Sequence, residues 1–178
     1  MGSLTRLVQL IVFLYSLKEI ISTVEFTNIK CNSYDPDFAS FDYCFLKSKN
    51  RTYKYLSIKV QLLQAPVTKV KVNVAIMRRY NGYKPYLYNV TVDACTFLKN
   101  PKSNPVAAYI HSFFKGYSNM NHSCPFEHDL VVEKVPINFI NTQVQDVLPV
   151  PHGDYRFHSN WFAYDIKRAT VDVFITIS

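Results

Sequence analysis

Glycine is scarce in this chain, with 4 in 178 residues. That leaves no Gly-rich loop to cradle a phosphate, and neither a Gly-x-Ser-x-Gly elbow nor a His-Glu-x-x-His helix occurs. Acidic residues are also few, 13 against 20 basic ones. Carboxylates for glycosidic chemistry would have to come from Asp93, Glu127 and Asp129, and nothing in their spacing aims them at one bond. Long apolar runs are missing too. The longest, Leu7 to Leu17, is too short for an ordinary spanning helix. Of metal-ligating residues, His122, Cys124 and His128 form the tightest cluster, but zinc there would need a reduced Cys124 and a fourth ligand. We therefore expect no enzyme: no catalytic residues, no metal and no cofactor.

What is present is apolar and aromatic. With 48% hydrophobic and 15% aromatic residues, the chain has enough apolar surface to offset its conformational entropy, and its length suits one core. Arg6 ahead of the apolar run, with Ser22 and Thr23 after it, is the layout of a secretory signal peptide. The expected organisation is a signal peptide over 1–22 and a single domain over 23–178, secreted and extracellular. The remainder carries a formal charge of about +6, scattered rather than clustered. That favours lipid head groups or acidic glycans and argues against nucleic acid.

Four cysteines, Cys31, Cys44, Cys95 and Cys124, lie in the mature part. An even count in a secreted chain implies two disulfides. Spacing alone leaves three connectivities open, and closeness in sequence favours Cys31 with Cys44 and Cys95 with Cys124. Three acceptor sequons, at Asn50, Asn89 and Asn121, mark expected glycosylation sites on the surface.

Strand signals recur along the chain. Val24 to Cys31 alternates once a bulge is allowed, with Phe26 and Ile29 as core candidates, and Tyr43 to Lys47 restarts a strand. Leu56, Ile58, Val60 and Leu62 share one face; Val70, Val72, Val74 and Ile76 share another, and the two segments are expected to pair with each other. The turn at Asn81-Gly82 launches a strand on which Tyr86, Tyr88, Val90, Val92 and Ala94 face inward, because a glycan on Asn89 must face water. Leu130 to Val132 and Ile137 to Ile140 read as short strands. A final hairpin sets Tyr155, Phe157 and Trp161 against Val171, Val173, Ile175 and Ile177.

One helix is punctuated at both ends. Asn104 caps it, Pro105 opens it, Lys115 lies in its last turn and Gly116 suits a left-handed terminator. Its apolar stripe, Val106, Tyr109, Ile110, Phe113 and Tyr117, reads either as core or, clasped by Cys95 and Cys124, as a lid. The expected fold is an all-β, Ig-like antiparallel sandwich of seven to nine strands with one short helix in a disulfide-clasped loop. Two functions fit it. Either the sheets part and admit a hydrophobic molecule, or the core is filled and the protein is an adhesion or receptor-binding module.

The motifs FTNIKC (Phe26–Cys31), LKSKNR (Leu46–Arg51), NGYKPYLYNVTVDACTFLKN (Asn81–Asn100) and NHSCPF (Asn121–Phe126), with Pro-x-Gly-x-Tyr, Trp161 and Arg168 near the end, resemble an insect family of small secreted proteins catalogued as a domain of unknown function. That family is similar in pattern to the ML lipid-recognition domain. The resemblance implies a cavity between two sheets and the binding of a lipid or other hydrophobic small molecule. It also implies a link to chemosensation or to lipid presentation to a membrane receptor. Four cysteines stand where six are common, so no bridge can tie the first strand to the last. On this reading Val106, Ile110, Phe113 and Phe114 lie near the entrance, and Val72, Val74, Tyr88, Val90 and Trp161 face inward.

Overall fold

The computed structural model describes residues 23–50, 53–145 and 150–178, so the expected signal peptide lies outside the described residues. Among the described residues, eight strands form two antiparallel sheets. The larger has the order β1 (Val24–Ser33), β8 (Ile166–Ile177), β7 (Gly153–Ala163), β4 (Val70–Tyr80), β5 (Gly82–Asp93). The smaller has the order β2 (Ala39–Ser48), β3 (Lys54–Leu62), β6 (Leu130–Pro136).

Expected and observed pairings differ at one point. β3 and β4 are not partners: β3 pairs with β2 and β6, and β4 with β5 and β7. The connection 63–69 carries the chain from one sheet to the other, with Val67 bridging to Phe126 on the way. Their apolar stripes therefore face each other across the interior instead of lying side by side, which the same alternation permits.

The other strand signals have clear physical causes. At Gly82, where the β4–β5 turn follows Asn81, φ is 98°, a conformation that favours glycine. In β1 the register slips between Phe26 and Asn28, and that bulge puts both Phe26 and Ile29 against the core. β7 and β8 join through Tyr164 and Asp165, both at positive φ. Lys69 and Lys71 clamp the Asp165 carboxylate at 2.5 and 2.7 Å and lower its pKa to about 2.

Among the described residues, three short α-helices are present where one was expected. α1 (Ala94–Lys99) starts at Asp93, whose carboxylate accepts from Thr96 N at 2.8 Å. α2 (Pro105–Lys115) is the punctuated helix, and Asn104 Oδ1 caps it by accepting from Ala107 N at 3.0 Å. Gly116 ends α2 with right-handed φ −75°, not in the left-handed form. Ile137 to Ile140 is helical, not a strand, and forms the start of α3 (Ile137–Gln145). Ile137 and Ile140 are buried there, and Val144 packs beside them at helical spacing.

Both disulfides are formed, Cys31–Cys44 and Cys95–Cys124. The first joins β1 of the large sheet to β2 of the small one. The second ties α1, at the end of β5, to the segment ahead of β6. Loop closure over separations of 13 and 29 residues corresponds to about 2.9 and 3.6 kcal/mol. The first and last strands need no bridge, because β1 pairs with β8 along its length and Thr23 and Ser178 exchange two backbone hydrogen bonds.

Candidate functional site: an apolar cavity between the sheets

The two sheets do not fill the space between them. A cavity of about 300 Å³ lies between their inner faces, walled by strands of both sheets and by α2 and α3. A second space of about 100 Å³ adjoins it under α1 and α2. Ile110, Phe114, Ser159 and Trp161 line both. The walls are mostly hydrocarbon, since most inward positions of β3, β4, β7 and β8 are Val, Ile, Leu or aromatic.

Few polar atoms reach this interior, and most of them are satisfied by the protein. Ser159 Oγ donates to Val171 O at 3.1 Å and accepts from Trp161 Nε1 at 3.0 Å. Tyr155, only 2% exposed, donates its hydroxyl proton to Pro151 O at 2.6 Å. Burial raises its phenol pKa above the usual value, offset in part by the nearby Arg78 guanidinium. His111 lies on the buried side of α2 between the rings of Phe97 and Phe114, with Nε2 3.1 Å from Met120 O. Burial lowers its pKa.

α2 and α3 close the space together. Tyr109 OH donates to Gln143 O at 3.1 Å, and Tyr117 meets the Phe139 ring edge-on at 5.2 Å. Leu87 of β5 lines the cavity while 44% exposed. Tyr88, Tyr109 and Phe113 line the same cavity and are each half-buried.

Of the residues expected at a binding site, Tyr88, Ile110, Phe113, Phe114 and Trp161 line the larger cavity. Val72, Val74 and Val90 line the smaller one. Val106 packs against the core and is not part of either wall. Sequence reasoning missed the contribution of β2, β3 and β6, including Phe41, Leu56 and Val132, and that of Ile140 and Val144 on α3. The period-2 signal in β3 already sets Leu56 on an inner face. Asn50, Asn89 and Asn121 are all exposed. Asp93 and Asp129, weighed as carboxylates for catalysis, serve structure: one caps α1, and the other accepts from Leu62 N at 3.3 Å. Cys124 is committed to its disulfide, and His122 packs on the Phe126 ring at 5.3 Å.

A family model described as "Protein of unknown function (DUF1091)" matches residues 72–157. Over those residues the chain is similar to that family. The matched segment runs from β4 into β7 and holds α1, α2, α3 and the Cys95–Cys124 bridge, so it supplies the helical cover of the cavity and part of its walls. No curated protein matches the chain. Among solved structures, a Niemann-Pick type C2 protein from Japanese carpenter ant aligns with 86% of this chain and 90% of its own at 14% identity, with a TM-score of 0.31. So loose an overlay carries no argument, and the two-sheet architecture around the matched segment stands on the strand pairing itself. Among the described residues, no helix is long and apolar enough to cross a membrane.

Proposed function

We propose that this protein is a secreted, non-catalytic carrier or sensor that holds a lipid or other hydrophobic small molecule between its two sheets. The observation that carries the reading is the apolar cavity of about 300 Å³, which reaches the size range of small-molecule sites. It is also about twice the volume of an engineered apolar cavity that stays dry and takes up benzene. Two disulfides suit an oxidising compartment outside the cytosol, and the chain is read as one domain behind a cleaved signal peptide. Chemosensation and the presentation of a lipid to a membrane receptor are the roles such a carrier would serve.

An adhesion module with a filled core is disfavoured by the same cavity. Native mass spectrometry of the secreted glycoprotein separates the two readings. Extra mass that organic solvent removes is expected for a carrier. A protein that emerges empty, and takes up no hydrophobic probe when offered one, would overturn the proposal.

A further inference from the structure

The larger cavity is long, blind at one end, and carries a cation there. On β7 it is lined from Tyr155 to Ala163, a span of about 26 Å, whereas a sphere of 300 Å³ would be only about 8 Å across. The space is therefore a tube. Leu87 marks its open side near the level where Ile76 pairs with Phe157. Six residues further along β7, about 20 Å away, Phe38, Ala39, Ala163 and Ala169 are all buried and close the end.

Arg168 reaches this closed end because β8 bulges there. Trp161 pairs with Ala169 and Phe162 with Lys167, so Arg168 is the extra residue, and a bulge re-aims a side chain. Its guanidinium carbon lies 4.0 Å from the centre of the Phe38 ring, and its side chain is 14% exposed. It is the one charged side chain among the described residues that line the tube. Asp35 accepts from Nη1 and balances the charge. Nε is buried and has no hydrogen-bond partner among the described residues. A buried N–H without an acceptor is unfavourable, and an oxygen delivered by a ligand would satisfy it.

We propose that the ligand is a long unbranched chain bearing a neutral carbonyl, lodged head-inward with the carbonyl oxygen on Arg168 Nε–H and its tail toward Leu87. This rests on the hydrophobic-ligand reading above and narrows it. A narrow tube fits an extended polymethylene chain better than a fused-ring sterol. A carboxylate head would bring a second negative charge beside Asp35, whereas an ester, ketone or aldehyde oxygen accepts the hydrogen bond without one.

The test compares methyl palmitate, palmitic acid, hexadecane and cholesterol on the delipidated, disulfide-intact protein and on Arg168→Met. Methyl palmitate is expected to bind the unaltered protein about tenfold or more tighter than hexadecane, the scale of one hydrogen bond from a charged donor. The two should bind Arg168→Met alike, with hexadecane affinity unchanged as the sign of an intact tube. Equal binding of ester and alkane by the unaltered protein, a preference for palmitic acid at neutral pH, or tighter binding of cholesterol would each overturn the proposal while leaving the broader reading in place. Failure of all four to bind would take the broader reading down as well. Should Arg168→Met not fold, the infrared carbonyl stretch of bound methyl palmitate decides. A shift to lower frequency is expected on the unaltered protein, and an unshifted band refutes the contact.

Discussion

Trp161 donates its indole N–H to Ser159 Oγ at 3.0 Å, two residues back on the same inward face of β7, and the serine passes its own proton to Val171 O on β8. Ser159 is 3% exposed, so the relay hides two donors inside a hydrocarbon wall. Replacing it by alanine removes one hydroxyl and leaves the indole N–H in apolar surroundings with no acceptor in place. Ser159→Ala is therefore expected to destabilise the protein by about 1–3 kcal/mol, read as a lower denaturant midpoint. A change within a few tenths of a kcal/mol would mean that the indole finds another acceptor.

Phe113 lines the cavity from α2, half-buried, with its ring 4.9 Å from that of Tyr109, and we propose that it stands at the entrance. A carboxylate there meets solvent from one side and any entering chain from the other. Phe113→Asp should weaken uptake of a hydrophobic ligand by tenfold or more, while stability falls by less than about 2 kcal/mol, below the range for a fully buried aromatic. Titration of a fluorescent fatty probe alongside thermal unfolding separates the two effects. If the variant simply unfolds, the ring is core and does not guard an entrance.

The contrast between α2 and α3 explains what the sequence could and could not reveal. α2 announces itself because Asn104-Pro105 and Lys115-Gly116 punctuate both ends and its apolar residues recur at helical spacing. α3 opens with Ile137, Asn138, Phe139 and Ile140, four residues as compatible with a strand as with a helix. Only the later placement of Asn141 against Val24 N, at 2.5 Å, and of Val144 along the cavity shows the helical face. The partition of strands between sheets was hidden for a related reason. Alternation in β3 and β4 states that each has an inner face, not whether the two faces lie in one sheet or oppose each other. The cavity lining from the large sheet was legible at Tyr88 and Trp161. The wall from the small sheet was not, because pairing β3 with β4 places both stripes in one sheet and leaves nothing to oppose them.

His111 supplies a pH dependence of definite sign. Its ring is enclosed by Phe97 and Phe114, and burial lowers its pKa, with the Lys115 charge acting in the same direction. The unfolded chain therefore takes up the proton at a higher pH than the folded one. The stabilisation this residue provides as a neutral ring is complete above the unfolded value of about 6.5 and is lost as pH falls through it toward the folded value. Tm measured from pH 8 to pH 5 should decline over that window. In His111→Gln, which keeps a polar contact for Met120 O without titrating, that part of the decline should disappear. An equal decline in both proteins would assign the effect to other groups.

Ala169 faces the closed end of the tube opposite Trp161, and it is small where its neighbours along β8, Val171 and Val173, are branched. A leucine there would extend into empty space, gaining apolar burial of about 0.8 kcal/mol per added methylene before any strain is counted. A filled core would give the opposite result, since overpacking a solid interior costs about 1–3 kcal/mol. Ala169→Leu is thus expected to leave the ligand-free protein as stable as before or more so, and to lower its affinity for a long-chain probe several-fold. Chemical denaturation with and without the probe measures both quantities on one sample. A destabilised variant would show that the space between the sheets has no room for a side chain, and therefore none for a lipid.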